Sequence, residues 1–115
     1  EKNNSMVKAP FGIVGMETAA ALTYTELVLG GYLTPMQMVE KMSYNPAQIL
    51  HLKKGTLEEG SMADVMLFDP ECTYAIDKNK FWSKAKNTPF HGRKVTGKVM
   101  MTICEGRIVY DAAEE

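Results

Sequence analysis

The chain has 115 residues, with 13 basic side chains against 14 acidic ones and a formal charge of −1. That bounds it to one small, near-neutral unit and speaks against a nucleic-acid binder, which needs a basic stripe. At 45% hydrophobic and 23% charged residues, the composition is that of a folded chain rather than a disordered one.

No apolar run approaches the roughly 20 residues that span a bilayer. The polar opening Glu1-Lys2-Asn3-Asn4-Ser5 has no signal-peptide centre, so the expected setting is soluble and cytoplasmic, with neither membrane nor nucleic acid as partner. The chain opens without methionine and directly in loop-like sequence, which raises the expectation of a piece cut from something longer. Cys72 and Cys104 lie outside any C-x-x-C pair and cannot build a disulfide framework. Both are expected to be reduced, buried thiols.

In chain order, Pro10-Phe11-Gly12-Ile13-Val14-Gly15 reads as an ordered loop leading into a helix. From Met16 to Leu29 the apolar residues cover more than one helical face, and Gly30-Gly31 supplies a left-handed stop. Such a helix expects neighbours on several sides. Thr34-Pro35-Met36-Gln37 combines a capping threonine, proline at the first helical position and glutamine at the third, a strong start signal. Asn45-Pro46-Ala47-Gln48 opens a third helix, which Lys53-Lys54-Gly55 is expected to end.

The hydrophobic period changes at Gly55. Val65 to Phe68 reads as a strand closed by Asp69-Pro70, and Thr73 to Ile76 as another. Val99 to Cys104 and Arg107 to Tyr110 flank Glu105-Gly106, the right length for a tight hairpin turn. The fold class is therefore α+β, with three helices followed by four or five strands. Residues 1–54 are expected to form a helical unit and residues 55–115 a β-rich one.

A catalytic zinc takes three protein ligands, and this sequence offers only His51 and His91, with no H-x-H or H-E-x-x-H context. Both histidines fit surface positions, His51 near a helix end and His91 in the loop Pro89-Phe90-His91-Gly92. No nucleophile elbow, P-loop or complete dinucleotide fingerprint occurs. The nine methionines are expected to be adaptable core packing, and Lys78-Asn79-Lys80 and Lys84-Ala85-Lys86 a solvated face. Only the loop at Phe11-Gly12 admits a functional reading on equal terms. Glycine there would let the backbone approach a ligand and donate its N–H, or the loop is a plain joint with Phe11 stapling the following helix.

Whole phrases resemble a known family. Pro10-Phe11-Gly12-Ile13-Val14-Gly15-Met16-Glu17-Thr18, Ser43-Tyr44-Asn45-Pro46-Ala47 and Lys54-Gly55-Thr56-Leu57 occur in order, followed by Gly60, Ala63-Asp64 and Phe68-Asp69-Pro70. Ser83-Lys84-Ala85-Lys86-Asn87-Thr88-Pro89-Phe90, Gly97 and Gly106 complete a pattern similar to the C-terminal quarter of dihydroorotases. The Asn-Pro-Ala and Gly-x-x-Ala-Asp phrases are shared across cyclic amidohydrolases, allantoinases and dihydropyrimidinases included. The loop at Pro10–Gly15 and the run Lys86–Phe90 lean toward dihydroorotase.

The resemblance implies a parent enzyme that interconverts N-carbamoyl-aspartate and dihydroorotate in pyrimidine synthesis. It implies a (β/α)₈ barrel with a small β-sandwich domain built from both chain ends, and zinc as cofactor. Residues 1–54 would then supply the last barrel helices. The family's metal ligands and catalytic aspartate all fall before the residues matching Glu1-Lys2, so the resemblance implies no catalytic or metal residue in this span and substrate contacts at Phe11 and Gly12 only. These residues alone would be inactive, and the helix Met16–Leu29, deprived of barrel strands, would invite self-association. Three other readings stand beside this one: a non-catalytic scaffold subunit serving a partner such as aspartate transcarbamoylase, a related ring-opening amidohydrolase, and an independent α+β binding module.

Overall fold

The computed structural model describes residue 9 and residues 11–114; Glu1-Lys2 and Pro10 of the phrases above lie outside the described residues. The architecture is α+β, with two helical runs preceding one three-stranded antiparallel sheet.

Helix α1 (Ala19–Thr23) continues in π register through Tyr24–Val28, and its end satisfies the last carbonyls as the glycines foretold. Gly31, at φ 81°, closes a Schellman motif in which Gly31 N–H donates to the Val28 carbonyl (3.0 Å) and Tyr32 N–H to that of Leu27 (2.9 Å). The helix begins later than Met16, because residues 16–18 form a turn in which Thr18 donates to the Gly15 carbonyl from both N–H (3.1 Å) and hydroxyl (3.2 Å).

The second and third expected helices are one run. Helix α2 (Pro35–Val39) starts in the anticipated capping box: Gln37 N–H donates to Thr34 Oγ1 at 3.2 Å and Thr34 N–H to Gln37 Oε1 at 2.9 Å. A π segment, Glu40–Tyr44, then leads into α3 (Asn45–Ile49) without a break. Proline inside a helix lacks a donor and crowds the carbonyl four residues back. Here the wider turn, in which Asn45 N–H reaches the Glu40 carbonyl, seats Pro46 without ending the helix. The run ends before Lys53. His51 takes the left-handed C′ position at φ 53°, and Leu52 N–H donates to the Ala47 carbonyl at 2.8 Å.

Strands β1 (Val65–Ala75), β2 (Lys94–Cys104) and β3 (Arg107–Asp111) pair in that order. There are fewer strands than expected because Asp69-Pro70 does not close β1. Asp69 pairs with Lys98 and Thr73 with Thr96, and the residues between bulge out of the ladder. A bulge is where a residue without an N–H donor is tolerated inside a strand. The hairpin at Glu105-Gly106 is as anticipated, with both residues at positive φ (51° and 77°), the requirement of a tight primed turn.

Helix α1 lies on β2, and the core between them is small: Ala21, Ile76 and Val95, ringed by Leu22, Tyr74, Phe81 and Phe90. Two expectations about burial fail. Of the methionines, Met38 is buried, whereas Met16, Met36, Met42, Met62, Met66 and Met100 are exposed; Cys104 is exposed and Cys72 half-buried. Sequence hydrophobicity marks which residues seek a partner, and a single helix layer on a three-stranded sheet does not cover them all. The Cα radius of gyration of 16.0 Å exceeds the roughly 13 Å of a compact chain of about this length.

Candidate functional site

The loop at Phe11-Gly12 is open. The Phe11 side chain stands fully in solvent, 102% exposed, so it does not staple the following helix. Gly12 sits at φ 69°, and a Cβ built there would meet nothing within 4 Å. Packing therefore does not require a glycine at this position; the left-handed backbone does.

Below the loop, Ile13, Val14, Gly15, Met16, Glu17 and Thr18 line an open cleft of about 380 Å³. Its opposite wall is formed by Phe81 and Ser83, part of a strap between β1 and β2. The strap is fastened to the loop segment at two places. Glu17 accepts backbone N–H bonds from Trp82 (2.9 Å, to Oε2) and Ser83 (3.0 Å, to Oε1). Asn87 donates from Nδ2 to the Gly12 carbonyl at 3.2 Å. The strap is internally braced as well, since Lys86 Nζ donates to the Phe81 carbonyl at 2.6 Å and Phe90 N–H to Thr88 Oγ1 at 3.2 Å.

The two phrases that lean toward one family thus meet in space where Asn87 bonds to Gly12. Glu17 and Asn87 carried no sequence signal beyond membership of the longer family-like runs Pro10–Thr18 and Ser83–Phe90, because their partners lie 65 to 75 residues away.

The histidines take structural positions. His51 is the exposed residue ending α3, and His91 Nδ1 accepts the Lys78 N–H at 3.3 Å beside Asp77, 3.8 Å away. Among the described residues no three His, Cys, Asp or Glu side chains gather as metal ligands, so these residues do not fit a catalytic zinc. Elsewhere, Lys54 Nζ meets Asp64 Oδ2 at 2.6 Å, and Asp64 Oδ1 accepts the Glu105 N–H at 2.8 Å. The hydrogen bond from Lys54 holds the Asp64 carboxyl below its ordinary range, helped by the Glu105 N–H, and the same contact raises Lys54. This cluster ties the segment after α3 to the hairpin turn. No helix among the described residues is long and apolar enough to cross a membrane.

The class of protein is a hydrolase family: residues 2–109 match the amidohydrolase family, and the chain belongs to it. Within that family the similarity is to dihydroorotases. The chain is 48% identical over 112 residues to the dihydroorotase of Clostridioides difficile, which covers 97% of this chain and 26% of that protein. It is 50% identical over 109 residues to that of Pelotomaculum thermopropionicum, covering 95% and 26%. The chain thus spans about a quarter of the length of the curated relatives it matches. Among solved structures, an L-hydantoinase (dihydropyrimidinase) from Arthrobacter aurescens superposes with a TM-score of 0.84 at 34% identity, over 91% of this chain and 24% of that one. A D-hydantoinase from Thermus sp. superposes with a TM-score of 0.84 at 25% identity, over 95% and 24%.

Proposed function

We propose that this chain is the C-terminal quarter of a dihydroorotase, a cytoplasmic enzyme that interconverts N-carbamoyl-L-aspartate and dihydroorotate in pyrimidine biosynthesis. The observation that carries this reading is the 48% identity to a dihydroorotase across 97% of the chain. The hydantoinase likenesses are weaker in identity and fit a shared superfamily fold.

On this reading residues 1–54 supply the last helices of the barrel and residues 55–115 a segment of the β-sandwich domain. Zinc, if bound in the longer enzyme, would supply an activated hydroxide and polarise the ring carbonyl. On this reading its ligands would be supplied by the rest of the longer enzyme. What these residues contribute is one lip of the pocket. Phe11 offers an exposed apolar ring, and Gly12 a backbone N–H that would donate to a substrate carboxylate or carbonyl oxygen.

The test is a ring-opening and ring-closure assay on the full-length, zinc-loaded protein with dihydroorotate, N-carbamoyl-aspartate and a series of hydantoins. Turnover restricted to the first two is expected. Preference for hydantoins would move the assignment to the related ring-opening enzymes, and no turnover with any substrate would favour the scaffold reading, with aspartate transcarbamoylase as the natural partner to assay. The 115-residue chain with added zinc is expected to open no ring.

A further inference from the structure

We infer that Asn87 is a positioning residue for the substrate loop, holding Gly12 in its binding conformation through the 3.2 Å hydrogen bond from Nδ2 to the Gly12 carbonyl. The inference rests on the reading of Phe11-Gly12 as a substrate contact. Glycine at φ 69° occupies one well among several it visits readily, and no side-chain packing confines it, since the space around its Cβ position is open. A bond to the Gly12 carbonyl fixes the peptide unit that follows Gly12 and uses none of the donor capacity of the Gly12 N–H, which belongs to the preceding peptide unit.

Asn87 can do this because the strap carrying it is rigid. Phe81 and Phe90 anchor the strap's two ends against the core. Glu17 holds Trp82 and Ser83, and Thr88 N–H donates to the Lys86 carbonyl at 3.0 Å. A loop ordered before substrate arrives does not charge its ordering entropy against binding. Losing the tether should therefore weaken binding of ground state and transition state alike, which raises KM and leaves kcat nearly unchanged.

The experiment uses the full-length enzyme. Asn87→Asp keeps the shape of the side chain but removes the Nδ2 donor, and Asn87→Ser is a second variant should the first misfold. Either is expected to raise KM about tenfold, equivalent to about 1.4 kcal/mol, with kcat changed less than about twofold. Asn79→Asp, the same change at the far end of the strap where Asn79 bonds to Asp77, is expected to leave both constants unchanged. Gly12→Ala, whose left-handed backbone strains any side chain, is expected to raise KM as well. If Gly12→Ala raises KM while both Asn87 variants behave as wild type, the positioning role is wrong and the substrate-loop reading survives. If Gly12→Ala leaves KM unaltered, the substrate-loop reading fails and the role of Asn87 fails with it. A fall in kcat equal to the rise in KM for the Asn87 variants would also overturn the proposal, by placing Asn87 in the chemical step.

Discussion

Thr25 in the π segment after α1 and Thr96 in β2 hold each other across 71 residues of chain: Thr96 N–H donates to Thr25 Oγ1 at 2.9 Å, and the Thr25 hydroxyl lies within 3.0 Å of the Thr96 carbonyl and 2.7 Å of the Ala21 carbonyl. A helix seldom hydrogen-bonds a strand backbone, whose groups are normally engaged by neighbouring strands. Here β3 pairs with Met101–Cys104 and does not reach Thr96, and β1 bulges nearby, between Asp69 and Thr73. Thr25→Val conserves volume and strands the half-buried Thr96 N–H, a loss of about 1–3 kcal/mol. A lowered urea midpoint with an unchanged slope is the expected result. An unshifted midpoint would mean that water satisfies Thr96 equally well.

One residue along β2, Gly97 lies against side chains of both the helical run and β1. It sits at φ 102°, and a Cβ there would run into the Phe68 ring and come within 3.1 Å of Tyr24 Cδ1. Those two rings meet edge to face with centroids 5.3 Å apart. Gly97→Ala is expected to cost about 1–2 kcal/mol for the left-handed backbone and about 1–3 kcal/mol more for the collision. Adding Phe68→Leu should recover part of the second loss and none of the first. A double-mutant cycle by denaturation separates the two, and strictly additive losses would show that the ring is not what excludes a side chain from position 97.

What the sequence revealed divides along contact range. The capping box at Thr34 and Gln37, the stop at Gly31 and the hairpin at Glu105-Gly106 were legible because each is completed within a few residues. Pro46 and Pro70 misled for the complementary reason. Proline reports the donor it lacks but not the π turn or bulge that excuses the loss, and those arise from packing and strand register. The meeting of Gly12 with Asn87, and of Glu17 with the strap, depends on how the sheet folds back over α1 and has no local trace. Family resemblance points to Phe11 and Gly12 as the proposed substrate contact without saying what holds them.

The Lys54–Asp64 contact sets a pH window for stability. Asp64 lies below its ordinary 3.8 in the folded chain, chiefly through the Lys54 hydrogen bond, so its contribution is complete above about pH 3.8 and fades as pH falls through the lower folded value. Lys54 lies above its ordinary 10.5 through the same bond, so its contribution is complete below about pH 10.5 and fades as pH rises through the higher folded value. Asp64→Asn removes both. The difference in urea midpoint between wild type and Asp64→Asn is expected to stay level from about pH 5 to about pH 9 and to shrink at either extreme. A difference that grows toward acid would mean that the pair does not stabilise the fold.

Surface composition bears on the chain's behaviour in isolation. Met16 is 96% exposed, Tyr32 78%, Met36 75% and Ile49 74%, with Leu50 exposed beside Ile49, so the helical runs show solvent a large share of the apolar surface their sequence carries. Contiguous apolar surface of more than a few hundred Å² is uncommon on monomers and drives association. Expressed alone, the 115 residues are expected to form concentration-dependent oligomers, seen by light scattering as a mass that rises on loading. Ile49→Glu with Leu50→Glu should lower that mass while leaving the circular dichroism spectrum intact, because both side chains already lie outside the core. A monodisperse monomer of the unaltered chain at high concentration would show instead that the exposed methionines and aromatics on these helices need no cover.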